Sequence, residues 1–225
     1  MVATRVHFQS EIQELRAGLV EMASLVLTQV ERSVISWDEV DCAIAAEVIA
    51  ADEQIDDRCL DLDHRVFSLH LLEAPVASDL RLLHVGLIAV IALERVGDLA
   101  VSIARLAGTV TPEGAVPEVQ ALIRRMSARS VDALAQAVQA IARGDAELGE
   151  SATDAAQVAR AMLDDVLRAV AVAHDSVETR QWCAAAVLVG RHLERVANNA
   201  AELGSRVRFL SSGELFTRAA RPSGE

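Results

Sequence analysis

A chain of 225 residues with 52% apolar and 24% charged side chains is too apolar to be disordered, and it is long enough to bury about 70% of its unfolded surface. Its 33 acidic residues against 21 basic ones leave a net charge of −12, which repels phosphate backbones, and two Trp with four Phe give few stacking platforms, so no nucleic acid is expected as a partner. Three widely spaced cysteines, Cys42, Cys59 and Cys183, rule out a disulfide scaffold and are expected to be buried, reduced thiols.

Residues 1–10 hold no apolar stretch of signal-peptide length. Ile12, Leu15, Leu19, Met22, Val26, Val30 and Val34 then step by threes and fours, which predicts a first helix. Asp41 opens a second, with Ile44, Val48, Ile55, Leu62, Val66 and Leu69 facing inward, and Pro75 breaks it. Residues 76–108 form a third helix, apolar on most sides and so central. Its longest nearly apolar run, 82–93, contains His84 and falls short of the ~18–20 residues that cross a bilayer. A soluble, cytoplasmic protein without membrane insertion is expected. Residues 109–117 are dense in turn formers and read as a linker, followed by helices over approximately 118–142, 145–173 and 176–211. Strand-like alternation is absent, and the class is all-α.

The two halves correspond. Leu93-Glu94-Arg95-Val96 recurs as Leu193-Glu194-Arg195-Val196, with Ala100 matching Ala200, at an offset of 100. Met22, Val34 and Asp41 match Met126, Val138 and Asp145 at an offset of 104, so about one helical turn is lost near the second hairpin of the second half. A duplicated three-helix bundle follows: two antiparallel three-helix bundles with a pseudo-two-fold relation. The first repeat spans 1–108, the linker 109–117, the second repeat 118–211 and a C-terminal tail 212–225.

Two carboxylate pairs stand at i, i+4 spacing, Asp52/Asp56 on the second helix and Glu94/Asp98 on the third, each pair on one helix face. Positions 52 and 98 are equidistant from residue 75, as are 56 and 94, and residue 75 is the helix-breaking proline. In an antiparallel hairpin the four carboxylates therefore lie level. Four such groups in a partly buried groove are costly unless protonated or bound to a cation. Clustered oxygen ligands suit Mg²⁺, Ca²⁺, Mn²⁺ or iron. The competing reading is a solvated acidic face. Glu94 argues against that reading, because it lies among Val90, Ile91 and Leu93. In the second half the matching positions hold Ala156, Arg160, Glu194 and Asn198. Only Glu194 keeps a carboxylate, and Arg160 stands level with it, so a salt bridge is expected in place of a metal.

Pro75-Val76-Ala77-Ser78-Asp79-Leu80-Arg81, Leu93-Glu94-Arg95-Val96-Gly97-Asp98-Leu99-Ala100 and Leu193-Glu194-Arg195-Val196-Ala197-Asn198 resemble the PhoU family of phosphate-uptake regulators over approximately residues 12–210. The resemblance implies a duplicated three-helix bundle with a Glu/Asp-x-x-x-Asp motif on paired helices of each half. It implies an adaptor rather than an enzyme, acting between a phosphate ABC transporter ATPase and a sensor histidine kinase to repress phosphate-starvation genes. It further implies a homodimer, peripheral at the inner face of the membrane through its partners. The metal motif maps intact onto Asp52, Asp56, Glu94 and Asp98, where a divalent or trivalent ion (iron, Mn, Mg or Zn) is expected. At Ala156, Arg160 and Asn198 this chain departs from the family pattern.

A ferritin-like di-metal oxidase needs Glu-x-x-His pairs, and none occurs; Asp61-x-x-His64 is the nearest. No nucleophile elbow, P-loop or His-Glu-x-x-His motif is present. A metal-free helical scaffold stays open beside the adaptor. His84 and His192 are expected as hydrogen-bonded packing residues, and Trp37 and Trp182 as packing anchors near bundle ends. Arg206 and Arg208 complement the negative end of the last helix, with Arg218 and Arg221 following in the tail.

Overall fold

A computed structural model describes residues 2–73, 75, 78–173 and 176–213. It contains six α-helices: α1 (Val2–Asp38), α2 (Cys42–Glu73), α3 (Ser78–Leu106), α4 (Pro117–Arg143), α5 (Ala146–Ala171) and α6 (Val177–Ser212). Two short 3-10 turns, Ala107–Thr109 and Pro112–Gly114, join α3 to α4. Val76 and Ala77 of the predicted third helix, and Arg218 and Arg221 of the tail, lie outside the described residues.

The repeat extends to the hydrogen bonds of the corners. Asp41 N–H donates to the Ser36 carbonyl at 2.8 Å and Val40 N–H to that of Trp37 at 3.3 Å. In the second half Asp145 N–H donates to Ala140 at 3.0 Å and Gly144 N–H to Ile141 at 3.3 Å. These are the paired bonds of a Schellman ending. The next residue caps the following helix: Asp41 Oδ1 accepts from the N–H groups of Ala43 and Ile44 at 2.8 and 3.0 Å, and Asp145 Oδ1 from Leu148 at 3.1 Å. The left-handed position falls to Gly144 (φ 69°) in the second half but to Val40 (φ 54°) in the first. A β-branched residue there costs roughly 1–2 kcal/mol, which glycine avoids.

Helices α1, α2 and α3 pack on one another, and so do α4, α5 and α6; α1 meets α4 and α3 meets α6 along the seam between the bundles. The outer helices α2 and α5 stand away from that seam. One apolar core runs through both bundles, with Leu15 and Met22 of α1, Leu93 of α3, Met126 of α4 and Leu193 of α6 in a single cluster. The inward faces predicted for α1 and α2 are buried, Ile44 only partly. Helix α5 has 26 residues against 32 for α2, which places the missing turn at the end of α5, beside the second hairpin.

Polar contacts reinforce the seam. Arg16 Nη1 donates to the Ala142 carbonyl at 2.7 Å, and Arg81 Nε to that of Leu210 at 3.2 Å. Gln120 and Arg124 of α4 reach the carbonyl and carboxylate of Asp38, where α1 ends. Trp37 and Trp182, both fully buried, stack across the seam with centroids 4.8 Å apart and planes tilted by 33°. The linker is held closely as well: a side chain on Gly114 would collide with the Glu178 carbonyl at the start of α6.

Helices α5 and α6 cross at two glycines. A Cβ on Gly204 would lie 2.5 Å from the Gly149 carbonyl oxygen, and one on Gly149 would lie 2.7 Å from that of Gly204. Both obstacles are backbone and yield only if the helices part. Gly204→Ala is expected to destabilise the protein by about 1–3 kcal/mol, as overpacking does. Thermal unfolding checks this, and an unchanged melting temperature would show that the crossing has slack.

Three expectations need correction. Only Cys183 is buried; Cys59 is half-buried and Cys42 exposed, since α2 is an outer helix with one face to solvent. His84 lies exposed, edge-on to Phe209 with centroids 6.1 Å apart, and His192 buries Nδ1 without a partner, so neither is a hydrogen-bonded packing residue. Arg206 and Arg208 lie before the last turn of α6, which holds no basic residue, and pair with Glu202 one turn back and with Glu150 across on α5.

Candidate metal site between the second and third helices

Helices α2 and α3 are the two legs of the hairpin about Pro75. The 3.6-residue period turns Asp52 and Asp56 to one face of α2, and Glu94 and Asp98 to one face of α3. Asp52 and Glu94 are half-buried, while Asp56 and Asp98 are exposed. Asp52 meets α3 closely: a Cβ on Gly97 would lie 3.2 Å from its Oδ1.

Asp52 and Glu94 feel the neighbouring carboxylates. Burial raises the Asp52 carboxyl above the usual carboxylate range, the charges of Asp56 and Asp98 add to the rise, and a hydrogen bond from Gln29 and the charge of Arg105 oppose it. Burial likewise raises Glu94, followed by the charges of Asp98 and Asp56, with Arg95 opposing. Cys59, one turn beyond Asp56, is pushed up by burial and by Glu94, Asp63 and Asp56, which keeps it a thiol at neutral pH.

Helix α1 forms the floor. Gln29 is 4% exposed, and its Nε2 donates to the Val48 carbonyl at 3.1 Å and to Asp52 Oδ1 at 3.2 Å. Its Oε1 is buried without a partner and lies 3.3 Å from where a Gly97 Cβ would stand. Gln29 and Gly97 escaped the sequence reading. The available signal was a glutamine where the period of α1 calls for an apolar residue, with Ala133 at its place in the second half.

An all-oxygen set of four carboxylates with an unpartnered amide oxygen beneath it suits a hard cation. Among the described residues no three His, Cys, Asp or Glu side chains are already gathered as ion ligands.

The second half is built differently. Ala133, Ala156 and Ala197 stand at the places of Gln29, Asp52 and Gly97, and all three are fully buried. The expected Arg160–Glu194 salt bridge does not form. Arg160 Nη1 donates to Asn198 Oδ1 at 3.2 Å, and Glu194 pairs with Arg191 one turn back on α6. An i, i+3 neighbour reaches Glu194 without spanning two helices.

Residues 19–107, within the first three-helix unit, match the profile of the PhoU domain. The chain is 30% identical over 207 residues to the phosphate-specific transport system accessory protein PhoU homolog of Pseudomonas putida, covering 92% of this chain and 81% of that one. It is also 30% identical over 215 residues to PhoU homolog 2 of Mycobacterium tuberculosis, covering 93% and 98%. The crystal structure of PhoU from Pseudomonas aeruginosa superposes with a TM-score of 0.85 at 27% identity, covering 92% of this chain and all of the other.

Proposed function

The chain belongs to the PhoU family, and on that footing we propose that it is a regulatory adaptor of phosphate homeostasis, an accessory protein of phosphate transport and not an enzyme. The observation that carries this reading is the reach of the likeness, which covers both halves of this chain against relatives named as phosphate-specific transport system accessory proteins. In this reading the protein restrains phosphate uptake and silences starvation genes through contacts with the cytoplasmic ATPase of a phosphate ABC transporter and with a sensor histidine kinase. It works in the cytoplasm, as a homodimer, and reaches the inner face of the membrane through its partners. No helix among the described residues is long and apolar enough to cross a membrane. The contacts are transient, because the signal must reverse with phosphate supply, and the net charge of −12 makes them salt-sensitive where partner surfaces are basic.

In the same reading Asp52, Asp56, Glu94 and Asp98 hold a divalent or trivalent ion, and Arg160, Glu194 and Asn198 hold none. The ion supplies positive charge that offsets the carboxylates and ties α2 to α3. The absence of a ready-gathered ligand trio among the described residues favours the alternative, a scaffold that binds no metal. Metal analysis of the purified protein separates the two.

Deletion tests the adaptor role. Mycobacterium tuberculosis carries a homolog 1 and a homolog 2, so the strain must lack any paralogue. Grown in ample phosphate, it is expected to keep starvation genes switched on and uptake unrestrained. Wild-type expression and uptake would overturn the proposal.

A further inference from the structure

Gln29 has an odd environment for an amide. It sits on the inward face of α1 between Val26 and Val30, both fully buried, where the helical period calls for an apolar residue. The Val48 carbonyl and the Asp52 carboxylate are both acceptors, so the NH₂ end must face them and Oε1 must face away. That oxygen is buried with no donor in reach. An unsatisfied buried carbonyl costs the full desolvation of the group, a cost that a bound cation would offset.

The space before it is equally specific. The point a Gly97 Cβ would occupy is 3.3 Å from Gln29 Oε1 and 3.2 Å from Asp52 Oδ1. Two oxygens, one neutral and one anionic, and the Ile55 Cγ2 methyl at 3.4 Å thus border the space left because residue 97 has no side chain. The second repeat gives an internal control: alanine replaces the amide, the carboxylate and the glycine together.

We infer that Gln29 is a further ligand of the first-repeat cation site, giving its amide oxygen from α1 to an ion that also binds Asp52, in the gap left by Gly97. The inference rests on reading the acidic cluster as a cation site. A neutral amide oxygen among carboxylates suits hard ions and adds no charge to a site that already carries four. It also ties α1 to the hairpin, so occupancy is felt by all three helices of the first bundle.

Mn²⁺ titration of the full chain, read by electron paramagnetic resonance, tests it. Gln29→Leu is expected to weaken binding on the order of tenfold or more, as is Gly97→Ala, whose methyl fills the gap. Gly97→Ala reproduces the alanine that the second repeat carries at 197, so it guards against a folding failure at position 29. Gln29→Glu keeps an oxygen but loses the NH₂, and it is expected to restore wild-type or tighter binding. Equal weakness in Gln29→Leu and Gln29→Glu would show that Gln29 only orients Asp52, and the inference would fall. If Asp98→Asn weakens binding and Gln29→Leu does not, the acidic site stands and the inference fails. If the wild type binds no Mn²⁺ up to about 1 mM, both fail.

Discussion

Trp182→Ala is expected to cost about 3–5 kcal/mol of stability, the usual range for emptying a large buried aromatic site. For a chain of this size that lowers the melting temperature by roughly 6–20 °C. Trp37 at the end of α1 stacks on this ring at 4.8 Å, and Gly114 of the linker sits against the Trp182 Cβ, which alanine keeps. Removing the ring opens a cavity between the bundles, where helices from two sides would have to collapse together. Its indole N–H has no partner, so Trp182→Phe, which removes the orphan donor and keeps most of the volume, is expected to cost less. Intrinsic fluorescence follows unfolding of the single variants, because Trp37 and Trp182 are the only tryptophans and Tyr is absent, and far-ultraviolet circular dichroism follows the double variant, which keeps neither. Because the rings touch, the double variant with Trp37→Ala should cost less than the two single changes added. Full additivity, or a loss below about 1 kcal/mol, would show that the pair does not join the bundles.

A bound cation is expected to raise the melting temperature. At a hundred times the dissociation constant, linkage supplies about 2.7 kcal/mol, or roughly 5–10 °C here. Asp98→Asn removes a charge from the shared site and is expected to abolish most of that gain. The pH dependence follows from Asp52 and Glu94, both held above their ordinary values of 3.8 and 4.5. Burial raises both most; Asp56 and Asp98 add to both and Asp52 adds to Glu94, while the Gln29 hydrogen bond and Arg105 oppose the rise for Asp52, and Arg95 opposes it for Glu94. A raised carboxyl means that the folded state binds more protons than the unfolded chain. The metal-free protein therefore loses stability as pH climbs from the unfolded values through the folded ones. It keeps whatever these groups contribute below that window. Protons compete with the cation, so the Mn²⁺-induced gain should be larger at neutral than at mildly acid pH. A gain independent of pH, or one equal in wild type and Asp98→Asn, would count against a cation at these carboxylates.

The amino-acid sequence by itself determined the helices, the repeat and the acidic face. The step of threes and fours in Ile12 to Val34, the cap at Asp41 and the break at Pro75 are local signals, obeyed wherever an amphipathic helix meets a core. The expected levels of Asp52 with Asp98 and of Asp56 with Glu94 rest on helical rise and a hairpin with equal legs, which need no knowledge of the third helix. Tertiary structure decided what that third helix adds. Gln29 approaches Asp52 from 23 residues away, and its orphan oxygen exists only because Val48 and Asp52 together claim its NH₂. Trp37 and Trp182 were legible as anchors but not as partners, since no period within one helix names the ring it will meet on another. Arg160 shows the same boundary from the other side. Level with Glu194 in the hairpin, it still binds Asn198, because Arg191 lies one turn from Glu194 on the same helix and takes it first. Periodicity tells which face a side chain occupies; which neighbour it joins there is settled by competition among groups that only the packed helices bring together.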